Sequence, residues 1–245
     1  MKVYTTDRIR NVVLLGHGGS GKTSLVEAMA YLGGITSRLG NVTDGNTISD
    51  FDKEEIKRQF SISTTMVPIE YEGAEGKIKI NLLDTPGYFD FVGEVEEAVS
   101  AADAAIIVVN CKAGIEVGTE KAWDLCEEYK LPRIIFVTNM DDDHASFREL
   151  ILKLEKKFGR KIAPFQVPIR ENEKFVGFVN AVKMQGRRFT NLSDYEDCEI
   201  PEYTKKNLGI IRDALIEAVA ETSEEYMERY FSGEEFTQDE IYTAV

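Results

Sequence analysis

The chain has 245 residues, 43% of them apolar, with 43 acidic and 29 basic side chains and a formal net charge of −14. That length suits one large α/β domain, or one domain with a small insert, and the apolar share is enough to fill a core. The acidic balance excludes broad binding to a nucleic-acid backbone by this chain alone, because such binding needs clustered positive charge.

The first eleven residues, MKVYTTDRIRN, are polar and do not read as a signal peptide. A strand pattern at 12–15 leads into GHGGSGKT at 16–23, a match to GxxxxGK[ST], and the following SLVEAMA reads as helix over 24–31. In such a loop Gly16, His17, Gly18, Gly19, Ser20 and Gly21 turn backbone N–H groups toward an anion. Lys22 then reaches the β- and γ-phosphates, and Thr23 offers its hydroxyl to Mg²⁺ at the positive end of the helix. The expected ligand is a nucleoside triphosphate. The competing reading is a Gly-rich strand-to-helix turn.

Residues 33–63 follow, rich in Gly, Asn, Asp and Ser, with one short charged segment (DKEEIKRQ) able to form helix. Connections of this length are usually functional or mobile, and the alternative is a passive insertion. Strand patterns at 65–71 and 77–83 are joined only by EGAEG, too short for a crossover helix, so they form an antiparallel hairpin. The turn Asp84-Thr85-Pro86-Gly87 comes next. Helical patterns at 93–101 and 120–129 alternate with strands at 104–110 and 133–137, and the last strand runs into Thr138-Asn139-Met140-Asp141. The expected fold class is α/β, a mostly parallel sheet with one antiparallel edge strand. No apolar stretch approaches the ~20 residues of a membrane span, so the expectation is a cytoplasmic, unanchored protein.

Beyond the sheet, Phe147, Leu150, Ile151, Leu154 and Phe158 share a helical face ending at Gly159. β-rich text at 164–169 and 174–184, joined through RENE, continues into QGRRF. A long helix with Leu208, Ile211, Leu215 and Val219 on its buried stripe follows, and Thr222-Ser223-Glu224-Glu225 reads as a capping box opening another helix. The expected division is 1–158 for the main domain and 159–245 for a small α+β subdomain. Cys111, Cys126 and Cys198 have no paired or metal-ligand spacing and read as reduced, structural thiols.

Taken together, the phosphate loop, DTPG and TNMD, with DGNTISDFDKEEIKRQFSIS in the long loop, make the chain similar to the nucleotide-binding domain of elongation factor G. The likeness is stronger to the elongation factor G-like paralogues of some bacteria, and it covers essentially the whole sequence. It implies a P-loop GTPase fold, with GTP and GDP as ligands, Mg²⁺ as cofactor and the ribosome as partner. Asp84 would hold Mg²⁺ through water, the Gly87 N–H would sense the γ-phosphate, and Asp141 would accept both guanine N–H donors, a pattern adenine does not offer. The competing reading of Asp141 is a helix N-cap within the run 141–143. Residues 159–245 resemble the insert that this family turns toward the ribosomal stalk protein.

Four positions depart from the family pattern. The Mg²⁺-coordinating Thr of the long loop is Ser61, which keeps a hydroxyl, and the acidic residue of the phosphate loop is Gly19. Thr138 and Asn139 replace Asn and Lys of the NKxD element, which leaves guanine recognition resting on Asp141. The His that positions the attacking water is Tyr88, a phenol whose ordinary pKa near ~10 makes a poor base. Phosphoryl transfer depends mainly on positioning and charge stabilisation, so hydrolysis by Lys22, Ser61, Gly87 and Tyr88 is expected to be slow without a partner. His17 reads as a structural or backbone-contact residue. In the family another strand and helix follow the insert, so the expectation is a fragment, binding nucleotide more weakly than the intact domain, with a mobile 33–63 loop and a tendency to self-associate along the 133–137 strand. The rival functions are a non-hydrolysing, GTP-gated ribosome-binding module, a ribosome recycling or protection factor, and an ATPase.

Overall fold

The computed structural model describes residues 3–73, 76–159, 162–172 and 174–244. The hairpin connection at 74–75, Glu173 within RENE and the final Val245 therefore lie outside the described residues. Two compact units divide the chain, Met1–Asn139 and Met140–Val245.

The first unit is built on five strands, β1 (Ile9–Leu15), β2 (Thr65–Gly73), β3 (Gly76–Asp84), β4 (Ala104–Asn110) and β5 (Arg133–Thr138), in the order β2-β3-β1-β4-β5. β1 runs parallel to both β3 and β4, and β4 parallel to β5, while β2 is antiparallel to β3. The hairpin is thus present, and its outer strand is the antiparallel edge. Parallel strands covered on both faces need apolar side chains on both, and Ala105, Ile106, Ile107, Val108 and Val109 are all buried. Helices α1 (Lys22–Leu32), α2 (Lys53–Arg58), α3 (Val92–Ser100) and α4 (Val117–Glu128) occupy the connections. α1 lays Val26 and Ala30 on Leu14, Leu82, Ile106 and Val108, and that packing fixes where its N-terminus points.

The chain leaves β1 at the point where successive crossovers turn to opposite sides, since β3 and β4 flank it. Ligands of open α/β sheets bind beyond the carboxyl ends of the strands at such a switch point. The phosphate loop follows β1 there, and DTPG follows β3. Gly16 begins the loop at φ 142°, with Val108 O so close that an added Cβ would collide with it. No other residue fits that corner.

The second unit carries α5 (Phe147–Phe158), a four-stranded antiparallel sheet β6 (Gln166–Glu171), β7 (Lys174–Asn180), β8 (Gln185–Phe189) and β9 (Tyr195–Cys198), and helices α6 (Glu202–Ala220), α7 (Glu224–Ser232) and α8 (Gln238–Ala244). Val167, Ile169 and Val179 from the sheet meet Leu208, Leu215 and Val219 of α6, with Ile241 of α8 completing the core. Phe147 of α5 packs against the same core, within the compact unit that begins at Met140. The cap of α7 also differs from the expected box. Ser223 is the N-cap, accepting from Tyr226 N, while the Thr222 hydroxyl donates back to Val219 O. A β-branched hydroxyl at the end of α6 is satisfied by that helix's last turn, and the next residue is left to open α7. All three cysteines are free thiols.

Candidate nucleotide-binding site

Lys22 ends the glycine-rich run and opens α1, with only 6% of its surface exposed. Its ammonium donates to Gly16 O at 3.0 Å and His17 O at 3.1 Å. Burial pulls its pKa down to about 8, against the opposing fields of Asp84, Asp50 and Glu116. A desolvated cation offered only neutral carbonyls by its immediate neighbours favours the arrival of an anion. The N-terminus of α1 reinforces it, because Gly21 at the N-cap supplies no side-chain acceptor for the first N–H groups. Thr138, in place of the family Asn, keeps a link to the loop through Oγ1, which donates to Ser20 O at 2.7 Å.

DTPG lies directly on this loop. An added Cβ on Gly87 would stand 2.5 Å from Lys22 Nζ and 2.7 Å from the Gly18 backbone, so only glycine permits the approach. Thr85 is buried and donates to Leu14 O, pinning the turn to β1, and Pro86 carries the chain to Gly87. The Tyr88 ring stands against Gly18 and packs on Phe60 of the long loop with centroids 4.7 Å apart. Nearly half of Tyr88 remains exposed. His17 Nδ1 accepts from Gly118 N at the start of α4, and Nε2 stands 3.6 Å from Glu116. Gly19 has nothing within 4 Å of an added Cβ and faces open space.

The long loop has a defined course over the site. Ser49 Oγ donates to Asp84 Oδ2 at 2.7 Å, and Ser61 Oγ donates to Asp50 Oδ1 at 2.7 Å. Thr23 Oγ1 stands 3.2 Å from Ser61 Oγ. The remaining oxygens, Asp84 Oδ1 and Asp50 Oδ2, are buried without a hydrogen-bond partner. Burial pushes Asp84 up to about 6 despite the Ser49 hydrogen bond and the Lys22 charge, and it raises Asp50 as well. Two carboxylates and two hydroxyls with unspent buried oxygens fit a hard, oxygen-seeking divalent cation. Among the described residues no group of three or more His, Cys, Asp or Glu could hold a metal ion, so such a cation would complete its shell with phosphate and water oxygens.

Ser49, Asp50, Glu27 and Glu55 belong to this arrangement and were missed in the sequence. Glu27 is buried on α1, and its carboxylate accepts from Gly40 N at 2.8 Å and Ile48 N at 2.7 Å, clamping the loop's first half. Glu55 on α2 accepts from Ile62 N and Ser63 N, which holds the segment carrying Ser61. The available signal was a carboxylate on the apolar stripe of α1, between Val26 and Ala30. A cleft of about 230 Å³ opens from the site at Gly16, Gly87 and Tyr88 and runs between α3 and α4, walled by Val92, Val95 and Leu125.

Asn139 ends the first unit, its Oδ1 accepting from Asn110 Nδ2. Met140 is buried and Asp141 exposed at the start of the second. The N-cap of α5 is Ser146, accepting from Glu149 N, so the capping role weighed for Asp141 is filled by another residue.

Residues 7–231 match the elongation factor Tu GTP-binding domain. The chain belongs to this family. It is 37% identical over 231 residues to an elongation factor G-like protein of Mycobacterium tuberculosis, covering 92% of this chain and 30% of that protein. To elongation factor G of Thermotoga petrophila it is 35% identical over 237 residues, covering 96% and 34% of the two chains. A crystal structure of a protein from Thermus thermophilus superposes with a TM-score of 0.89 at 36% identity, covering 97% of this chain and 35% of that one. This elongation-factor GTP-binding domain thus spans about a third of the length of the relatives it matches.

Proposed function

We propose that the chain is the Mg²⁺-dependent GTPase domain of an elongation factor G-like translation factor, converting GTP to GDP and phosphate in the cytoplasm. The observation that carries this reading is the meeting of the long loop with the phosphate loop, where Ser61 and Thr23 stand beside Asp50 and Asp84 carries an unspent buried oxygen. Thr23, Ser61 and, through water, Asp84 are the residues that would hold Mg²⁺. When bound, the ion supplies charge opposite the phosphate oxygens and fixes their orientation. Lys22 and the amides of Gly18, Gly19, Ser20 and Gly21 neutralise the phosphates, and Gly87 N–H faces the γ-phosphate. Asp141 reads guanine. Tyr88 orients the attacking water rather than deprotonating it, a role that positioning chemistry permits. Loss of the γ-phosphate would leave the long loop held over the site only by its own contacts, Ser61 to Asp50 and Glu55 to Ile62 N and Ser63 N, and so bias it toward release.

Residues 1–158 are proposed as the GTPase domain, and 159–245 as an insert meeting the ribosomal stalk protein. The intact protein would act on the ribosome in translocation or a related step. A non-hydrolysing, GTP-gated ribosome-binding module is the second reading, favoured by Tyr88, which follows DTPG where the resemblance leads one to expect His and whose ring packs on Phe60. Measurement of ribosome-stimulated phosphate release by the full-length protein separates the two. The prediction is that Tyr88→Ala lowers turnover with little change in GTP affinity and that Tyr88→His retains or raises it. Equal rates for wild type and Tyr88→Ala would remove Tyr88 from the mechanism.

A further inference from the structure

Arg170 sits on β6 at a break in register, where the pairing with β7 shifts between Ile169 and Arg170. Bulges of this kind re-aim a side chain away from the regular pleat. The guanidinium donates from Nη1 to Met140 O at 2.9 Å and Ala145 O at 3.1 Å, and from Nη2 to Asp142 O at 3.3 Å. Met140 and Asp142 are the two neighbours of Asp141 in the chain, so one rigid fork grips the carbonyls on either side of it. A lysine could not reproduce that grip, because a single ammonium lacks the planar pair of donors. The backbone of Arg170 is itself fixed from α6: Tyr203 Oη accepts from Arg170 N at 3.1 Å and donates to Arg170 O at 2.7 Å. Within the loop, Ala145 N donates to Asp142 O, and His144 N to Asp142 Oδ1. The loop is therefore a closed turn held from outside at three carbonyls, while the Asp141 side chain stays exposed.

We infer that Arg170 is a positioning residue for guanine specificity, holding the turn 140–145 so that the Asp141 carboxylate is aimed before nucleotide arrives. The inference rests on the reading of Asp141 as the guanine acceptor. It adds that base selectivity depends on the sheet of the second unit, through β6 and α6. Pre-aiming matters because an exposed carboxylate on a free turn would lose rotational and backbone freedom on binding, at a cost taken from the affinity of the one contact that distinguishes bases.

The test compares GDP with IDP, which differs only in lacking the 2-amino donor, in calorimetric titrations of the wild-type chain and variants. The wild type should prefer GDP by about ten-fold or more, the range of one charge-assisted hydrogen bond. Asp141→Ala should bring the ratio near one. Arg170→Met should lower GDP affinity more than IDP affinity, because IDP keeps only the N1–H of the two donors that Asp141 accepts, so the GDP/IDP ratio falls, and Arg170→Lys should fall between. Loss of both affinities in equal proportion, or an unchanged GDP/IDP ratio in Arg170→Met, would overturn the positioning role. Should Arg170→Met not fold by circular dichroism, an unchanged ratio in Arg170→Lys overturns it equally. A ratio insensitive to Asp141→Ala points instead to failure of the guanine-acceptor reading, so the two failures are told apart.

Discussion

Glu27 shows how much of the site depends on groups that touch no ligand. Its buried carboxylate satisfies the N–H groups of Gly40 and Ile48 at once, and Gly40 approaches so closely that an added Cβ would stand 2.6 Å from Glu27 Oε1. Glu27→Ala leaves two donors without their acceptor, each worth about 1–3 kcal/mol if it stays buried. The loop escapes that cost by opening to water, so the expected result is faster amide exchange and proteolysis within 33–63, with the unfolding temperature of the sheet little changed. Protection equal to wild type would show that Glu27 does not hold the loop. Lys22, Thr23, Asp84 and Gly87 were legible in the sequence because each motif is local: its spacing along the chain is its geometry. Ser49, Asp50, Glu27 and Glu55 were not, since their roles arise from contacts that reach across 7 to 35 residues at no fixed spacing, the longest that of Ser49 with Asp84, and no local pattern encodes them. Ser61 and Tyr88 became legible only through the resemblance.

Among elements, the five strands and four of the longer helices follow their periodicity closely, because apolar repeats report burial directly. The cap of α7 did not, as two adjacent hydroxyls competed for one position and only the end of α6 decides between them. The bulge in β6 was equally silent, being a property of pairing with β7. The α7–α8 corner carries a pH dependence of known sign. Hydrogen bonds from Arg229 and from Thr237 hold Glu240 down at about 2, and Arg229 also pairs with Glu234. A carboxylate with a depressed folded-state pKa contributes stability that is fully present above its ordinary value near 4.5 and is lost as pH falls through about 2. The stability gap between wild type and Glu240→Gln should therefore be present at neutral pH and close across that acid window in denaturant titrations. A gap constant with pH would contradict the pairing. β5 is the last strand of its sheet, and Ile134 and Phe136 are each 42% exposed. Exposed apolar edges pair with copies of themselves, and a lysine there blocks such pairing. Sedimentation should show concentration-dependent association of the wild-type chain, reduced by Ile134→Lys. A monomer throughout would show that this edge is not available.

At the scale of the whole molecule, two compact units share one chain with a net charge of −14, and no described helix is long and apolar enough to cross a membrane. The first unit gathers phosphate-binding chemistry at the carboxyl ends of β1 and β3, and the second carries the turn with Asp141. The long loop connects chemistry to conformation, because its hydroxyls and carboxylates share the buried cluster that surrounds Thr23 and Asp84. The central claim is that this cluster and Lys22 together turn over GTP with Mg²⁺. Its most direct test is phosphate release from GTP and from ATP by the full-length protein, with and without ribosomes, in Mg²⁺ or in chelator. The account predicts release from GTP only, dependent on Mg²⁺, slow alone and faster with ribosomes. Release from ATP at the same rate, or none from GTP even with ribosomes and Mg²⁺, would contradict it.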